Sequence, residues 1–160
     1  MSCANEQKIG PLLRQCGKTI VTAESCTGGL VGSLLTDISG SSDYYLGGVI
    51  SYTNQIKNRI LGVSADTLAD VGAVSKETAL QMAHGVRRLL NADYALSTTG
   101  IAGPTGGTAT KPVGLVYIAL VGPEIELCER HVWQQQDRLG TKMLSAQRAI
   151  AMLIEHLESL

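Results

Sequence analysis

Ser25 and Lys57 are residue types that together can transfer an acyl group. Ser25 lies in Ala23-Glu24-Ser25-Cys26-Thr27-Gly28-Gly29, where an apolar, strand-like run from Lys18 to Ala23 gives way to an amphipathic helical pattern. A hydroxyl at the end of a strand, followed by two glycines that open a helix, sits beside backbone N–H groups able to stabilise developing negative charge. An unassisted serine is a weak nucleophile and needs a base. Lys57, in Tyr52-Thr53-Asn54-Gln55-Ile56-Lys57, can be that base if burial lowers its pKa, since Ser-Lys pairs transfer acyl groups without histidine. Tyr52 is then a proton relay. The same residues also have a plainer role, with Ser25 as a helix cap and Lys57 on a solvated helix face. Cys26, next to Ser25 and close to a helix start, is the alternative nucleophile if its pKa is depressed, and otherwise a small packed residue.

Two glycine-rich segments, around Gly28 and from Gly100 to Gly107, offer backbone N–H groups to a phosphate or an oxyanion, or else serve as tight turns that need positive φ. Neither fits a Walker A or dinucleotide fingerprint. Arg138, ahead of the last helical pattern, is a candidate partner for a phosphate. His84, His131 and His156 are scattered, with no H-x-x-x-H pattern, so the expectation is no metal and no cofactor.

The elements that must position these residues follow from periodicity and punctuation. Ile9, Leu12, Leu13 and Cys16 recur at helical spacing, and Pro11 marks a start or a kink. A strand over Lys18 to Ala23 precedes a helix whose core face is Leu30, Val31, Leu34, Leu35 and Ile38. After a turn at Gly40-Ser41-Ser42-Asp43, a β-prone run from Tyr45 to Tyr52 leads to a short helix capped by Thr53 or Asn54 and ended by Gly62. Ser75 caps a helix to about Leu90, and Tyr94 to Thr98 is a strand that runs into the second glycine segment. Val113 to Val121 and Ile125 to Trp133 form a hairpin around Gly122-Pro123, and Leu139, Met143, Ala146, Ile150, Leu153 and Leu157 line a terminal helix. The fold class expected is α/β, a three-layer α/β/α arrangement with a mixed, mostly parallel sheet.

Composition narrows the classes of function. A chain of 160 residues with 44% hydrophobic and 17% charged residues suits one globular domain over 1–160. Thirteen Lys and Arg against 14 Asp and Glu give no positive field for nucleic acid or an acidic membrane. Cysteines 3, 16, 26 and 128 form no C-x-x-C pair and read as free thiols. No signal-peptide h-region and no membrane-length apolar run occur in the sequence, which places the expected location in the cytoplasm.

These residues resemble the CinA C-terminal domain family, the nicotinamide-nucleotide amidohydrolases. The resemblance rests on Thr22-Ala23-Glu24-Ser25-Cys26-Thr27-Gly28-Gly29, Gly40-Ser41-Ser42, Tyr52-Thr53-Asn54-Gln55-Ile56-Lys57, Gly72-Ala73-Val74-Ser75, Gly100-Ile101-Ala102-Gly103-Pro104 and Lys111-Pro112-Val113-Gly114. It spans nearly the whole chain and looks like a stand-alone form without the extra N-terminal domain of longer members. It implies hydrolysis of the carboxamide of nicotinamide mononucleotide to nicotinate mononucleotide and ammonia, in pyridine nucleotide salvage, without a metal. By motif, Ser25 is the implied nucleophile, Lys57 its base and Tyr52 a supporting hydroxyl. Gly28 and Gly29 would supply oxyanion donors, Ser42 and Thr99 would line the site, and the loop from Gly100 with Arg138 would hold the phosphate. The residues leave open whether Ser25 or Ser42 attacks. The resemblance also favours a homodimer and a small-molecule nucleotide as the partner. A catalytically silent nucleotide-binding or competence-related regulatory module is the alternative, and the Ser25–Lys57 pair is what a pure binding module has no use for.

Overall fold

The computed structural model of the chain describes residues 3–160, with side chains from position 5 onward; the Cys3 thiol lies outside the described residues. Strand β1 (Ile20–Glu24) is buried along its whole length, as an interior strand covered on both faces must be. It pairs in parallel with β2 (Tyr45–Ile50) on one side and with β3 (Tyr94–Gly100) on the other. β3 pairs antiparallel with β4 (Leu115–Val121), and β4 antiparallel with β5 (Glu126–Val132). The order is therefore β2-β1-β3-β4-β5, a mixed sheet in which only β4 runs against the other strands. The Gly122-Pro123 turn does close a hairpin, as its sequence indicates.

Alternation along the strands feeds two cores, one per face. Ile20, Leu96, Val116, Ile118 and Leu120 face α1 (Cys3–Cys16), α2 (Leu30–Thr36) and α6 (Arg138–Glu158). Val21, Ala23, Ala95, Ala119 and Val121 face α5 (Lys76–Leu90), joined by Leu61 at the end of α3 (Asn54–Leu61). Helices on both faces of one sheet give the three-layer α/β/α architecture. α3 can pack this closely because Gly85 of α5 has no side chain. A methyl group there would collide with the carbonyl of Leu61.

Three local expectations change. A six-residue helix, α4 (Ala65–Asp70), follows α3; it buries no residue and depends on its Ser64 cap, so apolar periodicity gave no sign of it. Cys16 is exposed at the end of α1 rather than part of the core. Leu139 is 71% exposed and Met143 38%, because the first turn of α6 lies against the loop after β3 and against Tyr52 instead of against the sheet.

Candidate functional site

The pocket opens beyond the carboxyl ends of β1 and β3, where connections leaving neighbouring strands diverge and leave a crevice in open α/β sheets. It is a cavity of about 280 Å³ lined by Ser25, Tyr52, Lys57, Thr99, Gly100 and Arg138 among others, close to the lower end of small-molecule sites at roughly 300 Å³. Ser25 follows β1 directly, and its N–H donates to the Thr98 carbonyl of β3 at 2.9 Å, so the two strand ends fix its backbone.

Lys57 comes to the same point from β2. Ser51 is held by donating its N–H to the Glu24 carbonyl at 2.8 Å, and the chain then turns into α3, capped by Thr53 Oγ1, which accepts from the Ile56 N–H at 3.3 Å. One turn in, Lys57 points inward and is 1% exposed, not solvated. Its Nζ lies 2.8 Å from Ser25 Oγ, 2.7 Å from the Ser51 carbonyl and 3.3 Å from the Tyr52 carbonyl. Burial pulls its pKa down from 10.5 to about 8, since a low-dielectric site disfavours the ammonium. A neutral amine has two N–H groups and one lone pair. With both carbonyls accepting, the lone pair is left for the Ser25 hydroxyl proton.

The turn after Ser25 is organised by a residue absent from the sequence-based candidates. Glu24 is 2% exposed. Its Oε1 accepts from the Val31 N–H at 2.8 Å and from Thr27 Oγ1 at 2.5 Å, and its Oε2 accepts from the Gly32 N–H at 3.0 Å. Because a carboxylate only accepts, the Thr27 hydroxyl proton is committed to Glu24. Thr98 Oγ1, 2.7 Å from Thr27 Oγ1, is then the donor in that contact. The chain Thr98–Thr27–Glu24 thus pins the turn. Its sequence signal was the acidic residue immediately before Ser25, with a threonine three positions later.

Gly28 and Gly29 have a different role from the one expected. Neither lines the pocket, and the Gly28 N–H donates to the Ser25 carbonyl at 3.1 Å, which removes it as an oxyanion donor. With φ of 61° and 106°, these two residues make the left-handed turn that other side chains resist. The Cys26 N–H has no backbone acceptor among the described residues, and Cys26 lines the pocket beside Ser25.

Tyr52 is 57% exposed, and its hydroxyl accepts from Arg138 Nη2 at 2.8 Å. The phenol therefore braces the pocket mouth and is no proton relay; what meets Lys57 is the Tyr52 carbonyl. Arg138 is the first residue of α6, and its Nη1 donates to the Gly103 carbonyl at 2.9 Å, so it ties the glycine loop to Tyr52. Thr99 lines the pocket, with its hydroxyl donating to the Ala73 carbonyl at 2.7 Å; Gly100, Gly103 and Gly106 complete that wall. Ser42 is the exception. It is exposed in the 3₁₀ turn Ser41–Asp43 that precedes β2, at the opposite end of the strands. The length of β1 separates it from Ser25, about 3.3 Å for each of its residues. Ser42 reaches neither Lys57 nor the pocket, and Ser25 alone of the two stands at the amine.

Cys26 is the weaker nucleophile at this site, since burial pushes its thiol up to about 12. The three histidines each contact a glutamate, His84 with Glu126 at 2.6 Å, His131 with Glu129 at 2.7 Å and His156 with Glu124 at 2.6 Å. No group of three His, Cys, Asp or Glu suited to a metal ion occurs among the described residues. No described helix is long and apolar enough to cross a membrane.

The model of the CinA C-terminal domain matches residues 3–157. A CinA-like protein of Trichormus variabilis is 54% identical over 147 residues, 91% of this chain and 35% of that protein. A competence-damage inducible protein of Halothermothrix orenii is 51% identical over 151 residues, 94% of this chain and 37% of its own length. The chain thus spans about a third of the length of these curated relatives. Among solved structures, the competence/damage inducible protein CihA from Agrobacterium tumefaciens is 40% identical with a TM-score of 0.90, covering 96% of this chain and 95% of that one. A CinA superfamily protein from Klebsiella pneumoniae has a TM-score of 0.95 at 29% identity, covering 100% and 99%.

Proposed function

The chain belongs to the CinA C-terminal domain family, and from that premise we propose that it is an amidohydrolase that removes the carboxamide nitrogen of nicotinamide mononucleotide. The observation that carries this reading is the buried Lys57 amine 2.8 Å from Ser25 Oγ, with a pKa brought to about 8. That is the range in which a base both accepts a proton and returns it near neutral pH.

Ser25 Oγ attacks the amide carbon while its proton passes to Lys57 Nζ. The oxyanion that forms is met by the amide of Cys26, at about 3 kcal/mol. The Lys57 ammonium then protonates the nitrogen of the scissile bond, which breaks to release ammonia and leaves an ester on Ser25. Water, deprotonated by the same amine, cleaves that ester to nicotinate mononucleotide and restores Ser25. One oxygen of the product carboxylate is the amide's own and the other comes from the water, whose two protons replace the one Ser25 passed to ammonia and supply the one the new acid releases.

The test is direct. Purified protein mixed with nicotinamide mononucleotide is expected to release ammonia and nicotinate mononucleotide in equal amounts. Binding of the nucleotide without any ammonia would overturn the reading and favour a silent binding module.

A further inference from the structure

We propose that Lys111 is a positioning residue for this pocket: its ammonium latches the glycine loop to the segment that follows α4 and so fixes the two walls between which a substrate must fit. The choice of probe rests on the amidohydrolase reading. Two motifs are left unused by the Ser25–Lys57 chemistry, Gly72-Ala73-Val74-Ser75 and Lys111-Pro112-Val113-Gly114, and the structure joins them. Lys111 Nζ donates to the Val71 carbonyl at 2.5 Å, across 40 positions of sequence.

One wall is held firmly. Ala73 and Val74 line the pocket, and the turn that carries them is bonded on both sides. The Gly72 carbonyl accepts from Ser75 Oγ at 2.9 Å and from Thr78 Oγ1 of α5 at 2.7 Å, and the Ala73 carbonyl accepts from Thr99 Oγ1 of β3 at 2.7 Å. The other wall is held loosely. Ala102, Gly103, Thr105 and Gly106 line the pocket from an arc in which every residue of 104–110 is exposed. Beyond its base on β4, where the Ile101 N–H donates to the Leu115 carbonyl at 2.8 Å, this arc has two hydrogen bonds to the rest of the molecule among the described residues. Arg138 donates to the Gly103 carbonyl on one limb, and Lys111 donates to Val71 from the other. An exposed segment with so few bonds has low local stability, so a single charge-assisted bond decides where it rests.

The local sequence builds the latch. The Thr108 N–H donates to the Lys111 carbonyl at 2.7 Å and the Lys111 N–H to Thr108 Oγ1 at 3.0 Å, a tight turn that brings the lysine back toward the molecule. Val113 fills the inside of the arc, where a Cβ on Gly103 or Gly107 would collide with it. Gly72, at φ 82°, turns the chain beneath the ammonium, and a Cβ there would stand 3.2 Å from Nζ. Lys111 is half-buried at this contact. Removing its ammonium frees one wall without touching Ser25 or Lys57, so the penalty falls on binding, which must then order the loop.

The experiment measures kcat, KM and the calorimetric Kd for nicotinamide mononucleotide, together with amide hydrogen exchange, on the wild type, Lys111→Met, which keeps the stem and loses the donor, and Lys111→Arg. The expected result is that Lys111→Met raises KM and Kd roughly tenfold with kcat within about threefold, and that Lys111→Arg recovers most of the affinity. Exchange over 101–113 should quicken in Lys111→Met while that of β1 and β3 stays unchanged. A merely structural role would lower the amount of active enzyme, and with it kcat, at unchanged KM and Kd; that result overturns the proposal. So does faster loop exchange with affinity unchanged. Should Lys111→Met fail to fold, Thr108→Ala removes the side-chain acceptor of the turn at an exposed position and is expected to raise Kd about threefold; an unchanged Kd there overturns the proposal. If the wild type releases no ammonia, the amidohydrolase reading fails, while the binding ratio and the loop exchange still decide for or against Lys111.

Discussion

At the N-terminal ends of β1 and β3 the charges and hydroxyls satisfy one another. Asp93 accepts from the Thr19 N–H at 2.9 Å and from Lys18 at 3.4 Å. Glu124, in the β4–β5 turn, accepts from Tyr94 and pairs with His156 at 2.6 Å, and these two partners hold its carboxyl below the ordinary range. At the opposite ends of the same strands, Lys57 is buried with a serine and two carbonyls and no carboxylate. There Arg138, which lines the pocket, donates to a carbonyl and a hydroxyl and pairs with no carboxylate among the described residues. Groups that are fully paired stabilise a fold, whereas groups left unspent inside a pocket are available to a ligand or a reaction. The contrast marks the chemical end of this molecule without reference to any relative.

The contrast breaks most sharply at Ser25. Ser25→Ala and Lys57→Ala should each lower ammonia release by on the order of 10³-fold or more, because nucleophile and base act as a unit. Circular dichroism should show the fold retained. Near wild-type turnover in Ser25→Ala would remove it as nucleophile and turn attention to Cys26 beside it in the pocket.

A tenfold effect per pH unit is expected from Lys57. Its folded-state pKa is lowered from 10.5 to about 8, so the proton-accepting amine is lost as pH falls below about 8 and is fully present above it. At pH 7 roughly one molecule in ten has the neutral amine. The log of kcat/KM should rise with unit slope from pH 6 and level off above about 8; a profile flat from pH 6 to 9 would show that Lys57 is not the base.

The smallest change is expected at the paired end. Glu124→Gln keeps an acceptor for Tyr94 while removing a half-exposed charge, at a cost of about 0.5–1 kcal/mol in stability. Scanning calorimetry reads that shift, and ammonia release should stay within about twofold of wild type. A large loss of turnover would mean that the two ends are coupled through β3, and the division drawn between them would fail.

Local pattern was enough for the alternation of strands and helices, for the Thr53 and Ser75 caps, for the hairpin and for the left-handed turn at Gly28-Gly29, since each depends on residues within one element or its flanks. The Ser25–Cys26 junction was legible for the same reason. The meeting of Ser25 with Lys57, 32 positions apart, was legible only as a pairing of residue types; the geometry behind it comes from the order β2-β1-β3, which sets the end of β2 beside the end of β1. Burial of the amine, the removal of Ser42 to the far end of the sheet and the conversion of Tyr52 and Arg138 into a brace were decided by tertiary structure alone. A side chain's pKa and free valences depend on what other segments bring against it, and no periodicity along one segment records its neighbours across the sheet.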